Sequence, residues 1–198
     1  MKIFKDPITE SELFSDALKV VEKGDILEVH GAYISRSDKI SDAMIGGNAS
    51  AEGAEDDEVV DDEAKEAGID VVLNAKLEEG PDYTKNMYKK HIKKYITDVV
   101  AHYKENEMDD KLEKLKKFAK GFFEDPQVVD IMENAKDYSW YHGEHHEASK
   151  ETADGDMKHM QGVVIPVRWE DTKVSNEYPG GQIPIFIFFR PCLIEEKF

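Results

Sequence analysis

The chain has 198 residues, 40% of them hydrophobic and 35% charged, and its 26 lysines and arginines against 43 acids give a formal net charge of -17. Such a length and apolar content suit one folded core with room for an inserted subdomain, and exclude wholesale disorder. The acidity disfavours a general nucleic-acid binder, and the lone cysteine, Cys192, excludes an internal disulfide framework or a cysteine-based zinc finger.

In chain order, Lys2–Lys5 alternates apolar and polar side chains and predicts a strand. Residues 10–14 predict a short helical turn with Thr9 as its cap. Residues 25–30 (DILEVH) and 32–35 (AYIS) predict consecutive strands flanking Gly31. From Ser37 the periodicity stops. Small residues give way to an acidic run from Glu52 to Glu66, relieved only by Lys65, which repels itself and buries nothing, so residues 37–67 read as a mobile acidic surface loop. Residues 69–73 (IDVVL) predict a buried strand.

The period then changes. Met87, Tyr88, His91, Ile92, Tyr95, Ile96, Val99, Val100 and Tyr103 recur at steps of three and four, the pattern of an amphipathic helix capped by Thr84. A second helix, opening at Asp109 or Asp110, carries Leu112, Leu115, Phe118 and Phe122, with Gly121 weakening its end. Asp125-Pro126 is a cap followed by proline at the first helical position, and opens a last helical stretch through Met132. Strands return at 138–142, 162–169, 184–189 and 192–195. The order strands, helices, strands predicts an α+β fold: a β-rich core from residues 1–80 and 137–198, with a helical hairpin subdomain, residues 81–136, inserted in it. No internal repeat is visible.

The N-terminus has no secretory leader pattern, and the longest apolar run, 185–189, is too short to span a bilayer. A cytoplasmic protein is expected, in which the Asn48-Ala49-Ser50 sequon goes unused.

Catalytic signals are weak. The sequence has no G-x-S-x-G elbow, and Gly46-Gly47 is not followed by the Gly-Lys-Ser/Thr of a phosphate loop. Cys192 sits among apolar residues and reads as a buried, inert thiol. His142, Glu144, His145, His146 and Glu147 could ligate a divalent metal, which opens an alternative reading as a metal-dependent enzyme or metal sensor; their spacing is not that of HExxH, and a solvated polar loop accounts for them more simply. No stretch meets the EF-hand calcium pattern, so calcium falls to weak binding by dispersed carboxylates. The contrast in this acidic chain is the first long helix, with Lys85, Lys89, Lys90, Lys93 and Lys94 and only Asp98 opposing them before Glu105. It reads either as a basic strip for an acidic partner or as a solvated helix face.

Ile45-Gly46-Gly47-Asn48-Ala49-Ser50-Ala51-Glu52 resembles the signature of the translationally controlled tumour protein family. Phe14-Ser15-Asp16, Tyr33-Ile34-Ser35-Arg36, the stretch GIDVVLN at 68–74, the run YKKHIKKY at 88–95, Gly143-Glu144 and PIFIFFRPCLIEEK at 184–197 are similar to further segments of that family, and the resemblance spans nearly the whole chain. His142 departs from the aliphatic residue of its second signature, and residues 145–160 and 173–182 look like insertions, the marks of a divergent member. The resemblance implies a β-tent-like core, similar to a guanine-nucleotide-exchange chaperone of Rab GTPases, with a projecting helical hairpin and a flexible acidic loop. It implies a monomeric, non-enzymatic regulatory protein that binds calcium, tubulin and microtubules, and small GTPases, with anti-apoptotic activity. Glu12 matches the position implicated in GTPase engagement, and Lys89, Lys90, Lys93 and Lys94 the region implicated in tubulin binding. Within the signature, Ile45, Gly46, Gly47 and Asn48 suit a clasp over the sheet, with Ser50 and Glu52 in a mobile continuation.

Overall fold

In the computed structural model, which describes residues 1–36, 66–144 and 161–198, the run QIPIFIFF forms β10 (Gln182–Phe189). It is apolar on both faces, so it takes a position covered from both sides. It lies inside an antiparallel six-stranded sheet of order β3-β4-β10-β9-β8-β7. The neighbours are β3 (Lys19–Lys23), β4 (Ile26–His30), β9 (Val164–Asp171), β8 (Ser139–His142) and the two-residue β7 (Glu78–Glu79). Register is set by pairs such as Phe188 with Leu27 and Ile185 with Arg168. Pro184 has no amide hydrogen, and it sits one position before β10 begins to pair with β4.

A second sheet, β11-β1-β2, joins the two ends of the described chain: β1 (Lys2–Lys5) pairs with β11 (Ile194–Lys197) and with β2 (Glu12–Ser15). Phe14 links the sheets, stacked on Phe4 at 4.4 Å and meeting Phe188 at 4.5 Å. The remaining strands, β5 (Tyr33–Arg36) and β6 (Glu66–Ile69), form a separate hairpin. Helices α2 (Lys85–Glu105), α3 (Asp109–Gly121) and α4 (Pro126–Glu133) cover the sheets. Tyr88 of α2 packs on Trp140 at 4.8 Å, and Phe122, in the 3-10 turn that ends α3, meets Phe189 at 4.9 Å. The expected α+β class and mostly antiparallel sheets are what the structure has.

Three local expectations need correction. Residues 10–14 form no helical turn. Asp6, not Thr9, organises this loop: its carboxylate accepts from the Ile8 amide at 3.0 Å and the Thr9 hydroxyl at 2.9 Å, its carbonyl accepts from the Glu10 amide, and the chain turns through Glu10 at φ 59° into β2. Residues 69–73 are no strand. The strand ends at Ile69, and Asp70–Ala75 is a helix, α1, that buries Val71 and Ala75 four residues apart. The Asp70 side chain accepts from the Ala32 and Val71 amides, and Lys76 closes the helix in the left-handed region. The acidic stretch also ends earlier than expected, since Glu66 and Ala67 pair with Arg36 and Ser35 in β6. β3 and β7 were not expected at all.

Candidate partner-binding surfaces

The sequence of α2 divides it into two faces. Thr84 caps it, accepting from the Met87 amide at 3.4 Å, and Tyr88, His91, Ile92, Tyr95, Val99 and Tyr103 are buried. That face is fastened by polar contacts. The Tyr103 hydroxyl donates to the carbonyls of Pro191 and Leu193, both at 3.2 Å. His91 Nε2 lies 3.2 Å from the Gly162 carbonyl. The Tyr95 hydroxyl donates to Asp6 Oδ1 at 3.0 Å, while Asp6 Oδ2 accepts from the Val163 amide at 2.9 Å. Asp6 is 1% exposed, so this carboxylate ties the first loop, α2 and the approach to β9 together from inside the molecule.

The outer face holds the expected lysines. Lys89, Lys90, Lys93 and Lys94 are all exposed. Lys94 pairs with Asp98 at 3.2 Å, one helical turn on, and Lys85 reaches Glu133 at 4.0 Å. Lys89 and Lys93 are different: their amines lie 5.5 and 5.4 Å from the centroid of the Phe123 ring, and among the described residues neither makes an ion pair. The ring attracts both cations without cancelling their charge, so they are presented outward.

Sequence reading overlooked a second basic row. Lys114, Lys116, Lys117 and Lys120 of α3 are exposed, and none pairs with an acid among the described residues. Its signal in the sequence is KLEKLKKFAK, where lysines fill the positions between the apolar residues that define the helix. Beside them Lys111, partly buried with its amine 5.9 Å from the Tyr103 ring, has its pKa lowered, first by burial.

Glu12 lies at the start of β2 with its carboxylate exposed. Lys5 is 3.9 Å away and holds Glu196 more closely, at 2.8 Å. Glu12 borders a hollow of about 180 Å³ with Ile3, Phe14 and Asn74. A protein partner could reach it without rearrangement.

Glu28 shows the opposite use of an acid. Its side chain is 3% exposed and meets Lys23 at 2.8 Å, Arg168 at 3.0 Å and the Gln127 amide at 2.7 Å, joining β3, β9 and α4 around β4. Burial alone would raise its pKa, but these partners together hold it below its ordinary value.

His142 is buried in β8 with its ring beside Tyr83 at 6.2 Å, and a Cβ on Gly80 would collide with His142 Nε2, so Gly80 makes the room for this imidazole. His145 and His146 lie outside the described residues, as do Ile45, Gly46, Gly47, Asn48, Ser50 and Glu52 of the signature. Among the described residues no group of three or more His, Cys, Asp or Glu side chains could hold a metal ion, so they offer no cage for calcium or for a catalytic metal. Cys192 is buried and its thiol is pushed up by that burial, which fits an inert thiol. Among the described residues no helix is long and apolar enough to cross a membrane.

The family model described as translationally controlled tumour protein matches residues 1–193. The chain is 38% identical over 200 residues to the translationally-controlled tumor protein homolog of Xenopus laevis, covering 100% of this chain and 99% of that one. It is 42% identical over 147 residues to the homolog of Crotalus adamanteus, covering 73% and 80%. Among solved structures, the translationally controlled tumor-associated protein of Schizosaccharomyces pombe superposes with a TM-score of 0.58 at 29% identity, covering 100% of both chains. The NMR structure of the Caenorhabditis elegans protein gives 0.54 at 32% identity, covering 100% of this chain and 99% of that one. The family model and the full-length relatives agree with the fold, and the chain belongs to the translationally controlled tumour protein family.

Proposed function

We propose that this protein is a cytoplasmic, monomeric regulator that works by docking partners, without a catalytic step of its own, and that its principal surface is the basic face of α2. Its partner there is an acidic protein segment, of which the tails of tubulin in microtubules are the leading case. The observation that carries this reading is the pair Lys89 and Lys93, exposed, set over Phe123 and without an ion pair among the described residues, in a chain of net charge -17. Unpaired cations against a strongly acidic background concentrate the positive field where a partner can use it. The lysines of α3 widen that face. Co-sedimentation with microtubules tests the reading. Binding is expected to intact microtubules and to be lost when the acidic tails are removed by proteolysis; equal binding to tailless microtubules would refute it.

A small GTPase is proposed as the partner of the β2 surface around Glu12, in growth and survival control. The support is that carboxylate's exposure beside a shallow hollow. The rate of nucleotide release from the GTPase, measured with the parent and with Glu12→Ala, is expected to fall with the variant, and an unchanged rate removes Glu12 from the surface. Weak calcium binding by dispersed carboxylates is part of the same proposal and enters no step of either interaction.

A further inference from the structure

A groove of about 400 Å³ lies between the β5–β6 hairpin and the turn joining β9 to β10, and none of its lining residues belongs to the lysine helix. Tyr33, Tyr141, Trp169 and Tyr178 line it, with Pro184 and the acid Glu177. Its two sides are fixed to one another. The Tyr33 amide donates to the Glu177 carbonyl at 2.8 Å, the Gly31 amide donates to the Pro184 carbonyl at 2.9 Å, and the Trp169 indole donates to Ser139 Oγ at 3.0 Å. The walls are therefore preformed, while Tyr33 and Trp169 remain 43% and 39% exposed. Large aromatic groups left open to water on a rigid frame mark a recognition surface.

Two features select the occupant. First, Tyr33, Trp169 and Tyr178 stack on no other ring among the described residues, so their faces stand separately along the groove. A polyproline II chain, with three residues per turn and unpaired carbonyls, sets its proline rings between such separated faces and accepts hydrogen bonds from phenols, at a small ordering cost. Second, the lining carries an acid, Glu177, and the Asp70 carboxylate is held nearby by the Ala32 amide, next to Tyr33 in the chain. The Tyr178 phenol is raised by burial and then by the charges of Glu177 and Asp70, and that of Tyr141 by burial and then by Glu79. Nucleic-acid bases would also stack on these rings, but the acids repel their phosphates. A basic side chain is the complement.

We infer that this groove binds a proline-rich segment of a partner protein in the polyproline II conformation, with an arginine or lysine of that segment against Glu177. The interaction is separate from the docking proposed for α2 and for Glu12, and uses none of their residues.

Tryptophan fluorescence of the full chain reads it directly, because Trp140 is 1% exposed and Trp169 is the accessible indole of the two. The probe is a synthetic peptide with three Pro-x-x-Pro-spaced prolines flanked by arginines. Expected are quenching of Trp169 by acrylamide, a neutral quencher, in the free protein and a saturable blue shift with a Kd on the order of 100 μM. The shift is absent with a peptide whose prolines are alanines. Glu177→Lys, an exposed change checked by circular dichroism, weakens binding by about tenfold, and the parent loses about the same affinity when glutamates replace the flanking arginines. The inference is overturned by equal binding of the alanine peptide, by indifference to Glu177→Lys, or by no saturation. It is also overturned by a Trp169 already hidden from acrylamide, at all protein concentrations (the groove filled by this chain itself) or only at high ones (filled by a second copy).

Discussion

On the sheets and the turns beside them, several charged side chains close on one another. Lys23 and Arg168 meet at Glu28, Arg190 meets Glu22 and lies near Glu195, Lys5 holds Glu196, and Lys76 holds Glu144. On α2 and α3, Lys89, Lys93, Lys114, Lys116, Lys117 and Lys120 have no such partner among the described residues. Both regions belong to one acidic chain, so the difference lies in where acids are placed. The sheets put them opposite cations, where they set register and join elements. The helical insert separates them, Asp109 and Asp110 standing at the start of α3, where they favour the helix dipole, and Asp98 serving Lys94. Charge that is paired holds the fold, and charge that is unpaired is available to a partner.

This contrast can be broken at its strongest point first. Asp6→Ala removes the acceptor for the Ile8 and Val163 amides and the Thr9 and Tyr95 hydroxyls, two of these bonds buried and two part-buried. A loss of about 4 kcal/mol is expected in urea unfolding, since each stranded donor costs roughly 1–3 kcal/mol and the site relaxes in part. Combining it with Tyr95→Phe is expected to cost less than the sum of the two changes, and simple additivity would show that the carboxylate and phenol do not act together.

Glu28→Ala comes next, at about 3 kcal/mol near neutral pH, because it leaves Arg168 and the Gln127 amide without their shared acceptor. Its pH dependence has a definite sign. The folded pKa is lowered, so the stabilisation is fully present above the unfolded carboxylate value and is lost as pH falls through the lowered folded one. The gap between parent and variant should shrink below about pH 4, and a gap that is constant with pH would assign the effect to packing alone.

Much of the architecture was legible because it rests on short-range patterns. The unbroken apolar run at 185–189, the three-and-four spacing from Met87 to Tyr103 and the Asp125-Pro126 cap each specify an element locally. What failed depends on distance. Asp6 is a loop residue in sequence, and its role as an internal tie comes from Tyr95 and Val163, 89 and 157 positions away. Residues 70–75 carry the β-branched pair Val71-Val72, which suggests a strand; the Asp70 bonds to Ala32 and Val71 turn the chain into a helix instead. β3 has adjacent valines and no alternation, so nothing local announced its pairing with β4. Of the surfaces, the α2 lysines were legible as charge contrast. The aromatic groove was not, because Tyr33, Tyr141, Trp169 and Tyr178 converge from β5, β8, β9 and the turn before β10.

The smallest effect on the fold accompanies the most direct test of function. Lys89→Glu with Lys93→Glu removes two exposed charges that pair with no acid among the described residues, so stability should change by less than about 1 kcal/mol. The decisive measurement is the affinity of an acidic tubulin-tail peptide for the parent and for this double variant across a salt series. The account predicts binding to the parent that weakens steeply with salt, and a loss of at least about tenfold in the variant, together with most of its salt dependence. Affinity and salt slope unchanged in a folded variant would contradict it.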